Sequence, residues 1–169
     1  LHGRNIVVTG GAGFIGSELV RQLADKGATV QVADNLVNGK AENLVGVIGN
    51  QVSLNVVDVR DVIEMRKLLD GADLVYHLAC LGVRHSIHDP LENHEVNATA
   101  TLALLGEAQK AGVERFVYVS TSEVYGTARY APMPEEHPTF PHTVYGSSKL
   151  AGESYTRAYH DTFGFGSVV

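Results

Sequence analysis

The chain begins with a short β-branched run, Ile6-Val7-Val8, that stops at a cluster of glycines. Across residues 14–26 the apolar positions Ile15, Leu19, Val20 and Leu23 recur every three to four residues, the spacing of one helix face, and Gly27 closes the segment. This pattern predicts a buried strand, a tight turn and an amphipathic helix. Further apolar runs predict strands at residues 29–33, 52–57, 74–78 and 116–119. Asp61-Val-Ile-Glu64 resembles a capping box opening a helix that reaches Leu69. A long helical pattern follows over residues 90–110, and a last one over about 143–162. Four of the five prolines lie in the loop between the fifth strand and that last helix. Ser167-Val168-Val169 predicts the start of a sixth strand.

Strands that alternate with helical stretches build parallel βαβ units, and strands this uniformly apolar are covered on both faces. The expected fold is α/β, a doubly wound parallel sheet of the Rossmann type. It should occupy residues 1–169 as one domain, truncated at the start of the sixth strand. The length suffices for a single core, and 44% hydrophobic against 19% charged residues excludes a disordered chain. The formal charge of −6 has its acids and bases interspersed, so no basic stripe exists and nucleic acid is not an expected partner. An anion could still be held by backbone N–H groups and helix N-termini. One cysteine, Cys80, allows no internal disulfide and fits a reducing compartment. With no apolar run of about 18 residues and no signal-peptide pattern, the expectation is a cytoplasmic protein without a membrane partner.

Candidate chemistry gathers at two places. Gly10, Gly13 and Gly16 punctuate the first strand–helix junction, where a pyrophosphate must approach the main chain and the helix must pack closely on the strand. The helix N-terminus would offer unpaired N–H groups and a partial positive charge. Asp34 ends the second strand 18 residues after Gly16, where a carboxylate can accept the ribose hydroxyls of NAD and repel the 2′-phosphate of NADP. Tyr145 and Lys149 stand at i and i+4 on one helix face. An ammonium there would favour the phenolate of a group whose free pKa is about 10, making it a base for an alcohol proton. Ser120-Thr121-Ser122-Glu123 follows the fifth strand, at the end of a parallel sheet where ligand-facing loops gather.

These motifs, in this order, resemble the nucleotide-sugar epimerase/dehydratase group of extended short-chain dehydrogenase/reductases. The matching stretches are TGGAGFIG (9–16), ADN (33–35), DVRD (58–61), HLA (77–79), VSTSEVYG (119–126) and YGSSK (145–149). The resemblance implies that Gly10, Gly13 and Gly16 hold the pyrophosphate of NAD, with Phe14 and Ile15 beside them, and that Asp34 and Asn35 meet the adenosine ribose. Asp58 and Val59 would flank adenine, and Leu78 and Ala79 the nicotinamide side. Thr121, Tyr145 and Lys149 would be the catalytic trio, the last two also touching the cofactor. Ser122 and Glu123 would serve whatever follows oxidation. In this family the sugar C4 hydroxyl is oxidised to a 4-keto intermediate, followed by epimerisation, 4,6-dehydration or decarboxylation of a sugar acid. Ser122 departs from dTDP-glucose dehydratases, which carry Asp there, and Glu123 departs from simple 4-epimerases. Val83-Arg-His-Ser86 with Asp89-Pro90 looks more like the epimerase/dehydratase version of that segment than the decarboxylase one. The substrate would be a UDP-, dTDP- or GDP-linked sugar. The C-terminal substrate domain of the family is expected to be missing, and a homodimer would use the helices at 91–110 and 143–162.

Two other readings stand beside this one: a non-catalytic dinucleotide-binding module on the same fold, and a reductase of a non-sugar alcohol. His85, His88 and His94 lack the partners of a metal site, so none is expected. Cys80 is expected to be a small buried hydrophobe, and residues 130–138 a mobile loop.

Overall fold

The computed structural model describes residues 1–49 and 51–169. Side-chain alternation in the first strand decides how the sheet is covered. In β1 (Asn5–Thr9), Ile6 and Val8 enter one hydrophobic core and Val7 the other, all of them buried. Helix α1 (Phe14–Asp25) covers the first face, where Val20 and Leu23 meet Val30 and Val32 of β2 (Thr29–Asp34). The other face is covered by α2 (Val62–Leu69), α5 (Ala100–Lys110) and α6 (Val144–Phe163), with Met65, Leu104 and Phe116 at its centre. Phe116 belongs to β5 (Arg115–Tyr118).

With β3 (Val52–Val56), β4 (Leu74–His77) and β6 (Ser167–Val168), the strands form one parallel sheet in the order β3-β2-β1-β4-β5-β6. The expected doubly wound α/β fold is thus what the chain adopts. Val8 lies opposite Val32 on one side and Tyr76 on the other, and Phe116 pairs with Ser167 at the far edge. The chain winds outward from β1 to β3 and then crosses back to place β4 on β1's other flank. That reversal opens a crevice beyond the carboxyl ends of β1 and β4, the place where open α/β sheets bind ligands.

Three local features depart from the sequence pattern. A short helix, α3 (Val83–His88), follows β4 in a segment whose two apolar residues, Val83 and Ile87, are too few to establish a period. The long helix expected over 90–110 is present as α4 (Pro90–His94) and α5, joined by a widened π turn over Glu95–Thr99. That turn sets Asn93 and Asn97, both buried, against the loop after β4: Asn97 bonds both the N–H and the C=O of Leu81, at 2.9 and 2.8 Å. At α2 only half of the capping box forms. Asp61 accepts from the N–H groups of Ile63 and Glu64, both at 3.1 Å, while Glu64 turns away to Lys67. The loop before α6 is folded around the buried His137, which accepts from Arg129 N–H at 3.1 Å and donates to Pro138 C=O at 2.9 Å.

Candidate active site

The crevice is a cleft of about 360 Å3 whose walls come from the ends of β1 to β5 and from α1 and α6. The glycine turn forms its floor. Gly10 adopts φ +69, open to glycine at little cost, and a Cβ on it would come within 2.7 Å of Ala79 N. At Gly16 a Cβ would press into the carbonyl of Gly10, so only glycine lets α1 start this close to the turn. No side chain caps α1 and its first turn carries no acid, which leaves its leading N–H groups free at the cleft. Gly10, Gly13, Phe14, Ile15 and Gly16 all line the wall, although Phe14 is 93% exposed.

Asp34 is buried at the end of β2 and braces the floor. Its carboxylate accepts from Ala12 N–H in the glycine turn and from Leu36 N–H, both at 2.9 Å. Each oxygen keeps lone-pair capacity for a further donor. Asn35 and Val59 line the same end of the cleft. Asp58 does not line it; its carboxylate sits behind Asn35, whose amide reaches it at 3.0 Å, and is gripped by Arg60. The Arg60 guanidinium holds the Asp58 pKa down at about 2.

Leu78 and Ala79 form the opposite wall, and a chain of buried hydrogen bonds fixes them. Thr101 donates its hydroxyl proton to Asn97 C=O at 2.8 Å, so its oxygen accepts from His77 Nε2–H at 2.9 Å. The other ring nitrogen, Nδ1, then accepts from Thr9 Oγ1 at 2.6 Å, and Thr9 Oγ1 in turn accepts from Ala79 N–H at 3.2 Å. Burial, with Lys149 nearby, drops the His77 pKa to about 3 and keeps this relay neutral.

Helix α6 brings the last groups. Thr143 caps it by accepting from Gly146 N–H at 2.9 Å, and Tyr145 and Lys149 then enter the cleft one turn apart. Lys149 is 2% exposed; its ammonium donates to Val119 C=O at 2.7 Å and lies 4.1 Å from the centre of the Tyr118 ring. Burial lowers its pKa to about 8. Tyr145 behaves contrary to the sequence expectation: its pKa is raised, first by burial and then by Cys80, while the Thr121 hydroxyl acts in the opposite direction. The ammonium that was to acidify the phenol is spent on Val119 and the Tyr118 ring. Thr121 opens a short 3-10 turn, accepting from Glu123 N–H at 3.3 Å, and both residues act on the Tyr145 phenol. Thr121, Ser122 and Glu123 stand outside the cleft wall, with Ser122 and Glu123 exposed and Glu123 Oε2 accepting from Thr143 at 3.5 Å.

Several wall residues escaped the sequence reading. Cys80 is half-buried beside Tyr145 rather than a core residue, and with Leu81 it directly extends the His77-Leu78-Ala79 stretch, the one signal that pointed to it. Asn38 and Gly39 face Asp34 from the loop after β2, and Val119 and Ser120 also line the cleft; among the described residues Ser120 Oγ is buried without a partner. Among the described residues no cluster suited to a metal ion occurs, and no helix is long and apolar enough to cross a membrane.

A glycine-floored cleft at the switch point, an acid after β2 and a tyrosine–lysine pair on α6 define a dinucleotide-binding protein of the short-chain dehydrogenase/reductase type. The family model described as GDP-mannose 4,6 dehydratase matches residues 7–169, and the chain belongs to this family of NAD-dependent epimerases and dehydratases. It is similar to UDP-glucose 4-epimerase 4 of Oryza sativa subsp. japonica, with 37% identity over 167 residues, 93% of this chain and 45% of that protein. UDP-glucuronic acid decarboxylase 2 of Arabidopsis thaliana is 38% identical over 165 residues, 94% of this chain and 36% of its own length. The dTDP-glucose 4,6-dehydratase of Streptomyces venezuelae, solved with NAD bound, superimposes with a TM-score of 0.91 and 38% identity over 96% of this chain and 53% of that one. The chain therefore spans about half, or less, of the length of these relatives.

Proposed function

We propose that this chain is the NAD-binding part of a nucleotide-sugar epimerase or dehydratase that oxidises the sugar C4 hydroxyl. The observation that carries the reading is that Tyr145 and Lys149 share one cleft with the glycine turn and Asp34. The free N–H groups of α1 suit a pyrophosphate and Asp34 a ribose diol, while Asn35 and Val59 line the adenine end with Asp58 behind Asn35. Leu78 and Ala79 lie on the nicotinamide side. Bound NAD supplies the acceptor for the hydride leaving C4. Tyr145, as phenolate, takes the hydroxyl proton while Thr121 shares the substrate oxygen's hydrogen bonds. Burial works against that phenolate, so a positive charge in the cleft is what would bring its pKa back down. Lys149, already poised near neutrality, can relay the proton.

Beyond oxidation, Glu123 supports chemistry other than simple return of the hydride, because its charge acts on the Tyr145 phenol. Elimination of water across C5–C6 or loss of a C5 carboxylate both fit, and relatives of both kinds exist. A purely nucleotide-holding module has no use for the buried Lys149 or for Thr121 beside Tyr145. In the assembled enzyme, a homodimer would form through α4, α5 and α6, where Leu91 and Leu102 are exposed.

Tyr145→Phe tests the proposal in the complete enzyme. NAD affinity should stay within about twofold, while turnover of nucleotide sugars falls by roughly a hundredfold or more, the usual reach of a positioned acid–base group. Wild-type turnover in that variant would remove the assignment.

A further inference from the structure

Arg60 has no role in the chemistry above, yet it is among the most heavily bonded side chains in the structure. Its Nε donates to Asp58 Oδ1 at 2.9 Å and its Nη2 to Asp58 Oδ2 at 2.8 Å, a two-pronged grip that a planar guanidinium makes and an ammonium cannot. Its own N–H adds a third bond to Oδ1 at 2.9 Å. On its far side Nη1 donates to Glu92 of α4 at 3.1 Å and lies 3.8 Å from Glu95. Glu92 is anchored in turn by His85 Nε2 at 3.1 Å. The guanidinium is therefore fixed from both ends.

This arrangement has a consequence for the base of the cofactor. Asp58 is a carboxylate that stays ionised down to about pH 2, can only accept, and cannot rotate. Its Oδ2 is one hydrogen bond from the cleft wall through the Asn35 amide at 3.0 Å, the one neutral and exchangeable partner in the set. An exocyclic amine arriving at that edge can share or replace the Asn35 bond. A carbonyl there meets a fixed negative charge.

We propose that Arg60 is a positioning residue that sets base specificity: by clamping Asp58 it makes the cleft select a 6-aminopurine over a 6-oxopurine dinucleotide. The proposal rests on the reading of the cleft as an NAD site. A clamped acceptor cannot swing to follow the N1–H of a 6-oxopurine, so rejecting the wrong base needs Arg60 as well as Asp58. Hydrogen-bond sites of this kind discriminate because the unmatched partner is left desolvated and unpaired.

The test compares dissociation constants of NAD and nicotinamide hypoxanthine dinucleotide by calorimetry for wild type, Arg60→Lys and Arg60→Gln. Wild type should prefer NAD by roughly tenfold or more. In Arg60→Gln the preference should shrink to about twofold through a gain in hypoxanthine dinucleotide affinity, with NAD affinity held within about twofold, which also shows that the variant is folded. Arg60→Lys keeps the charge without the fork and should fall close to Arg60→Gln. A preference undiminished in both variants, or equal falls in affinity for both dinucleotides, overturns the role of Arg60 and leaves NAD binding intact. A wild type that binds neither dinucleotide overturns the NAD reading and this proposal together.

Discussion

The side chains of the cleft do more than contact a ligand, because most of them are also braces. Asp34 ties β2 to the glycine turn through Ala12 N–H, so its removal loosens the floor as well as the ribose contact. Asp34→Ala should weaken NAD by roughly tenfold and NADP by much less, since the repulsion of a 2′-phosphate disappears with the carboxylate. Titration of both dinucleotides checks this, and a wild type that favours NADP would contradict it. His77 offers a pH test. Its folded pKa of about 3 lies below the ordinary 6.5, so between these values the unfolded chain binds the extra proton. Stability from this group is fully present above 6.5 and is lost as the pH falls toward 3. From pH 6.5 to 5 other carboxylates remain ionised in both states, and wild type should lose up to about 1.4 kcal/mol per pH unit that His77→Gln does not. Urea unfolding at three pH values in this window measures it; parallel slopes would show that His77 does not titrate on unfolding. Tyr145 is a site residue whose identity was legible in the sequence and whose ionisation was not. Sequence spacing places Lys149 one turn away, but only packing shows that its ammonium points to Val119 C=O.

At the scale of elements, local signals were strong wherever the interaction is local. The N-cap of α2 is such a case: Asp61 does what an Asp before an apolar helix does, satisfying two leading N–H groups. Asp61→Ala should cost about 1 kcal/mol of stability and leave NAD affinity unchanged. A lower urea midpoint with unaltered calorimetry is the expected pair of results, and an unchanged midpoint would mean the cap contributes nothing. The strands and α1 were visible because an apolar period of two or 3.6 marks burial directly. Helix α3 was not, since it has only six residues and its two apolar side chains, Val83 and Ile87, are exposed instead of packed in the core. The π turn after α4 was equally hidden. It exists to bring Asn93 and Asn97 onto Leu81, a partner 16 residues before Asn97, and no local rule weighs that contact.

For the whole molecule, the parallel sheet and its reversal at β1 put five strand ends and the helices α1 and α6 around a single crevice. These 169 residues cover about half of the relatives' length, so assayed by themselves they should bind NAD and show little turnover of nucleotide sugars. Calorimetry with NAD, beside product analysis by NMR, separates the two activities; full turnover by this chain would refute the expectation. The sequence by itself determined the α/β class, the glycine turn, the acid after β2 and the tyrosine–lysine pair, because each is written in residue type and short spacing. It had no means of stating what those groups become when packed. Ionisation depends on burial and on partners distant along the chain: a phenol made less acidic, a lysine brought near neutrality, a neutral histidine between two threonines and an aspartate locked by arginine. Those properties belong to the tertiary structure, because desolvation and long-range hydrogen bonds exist only once the chain has closed around them.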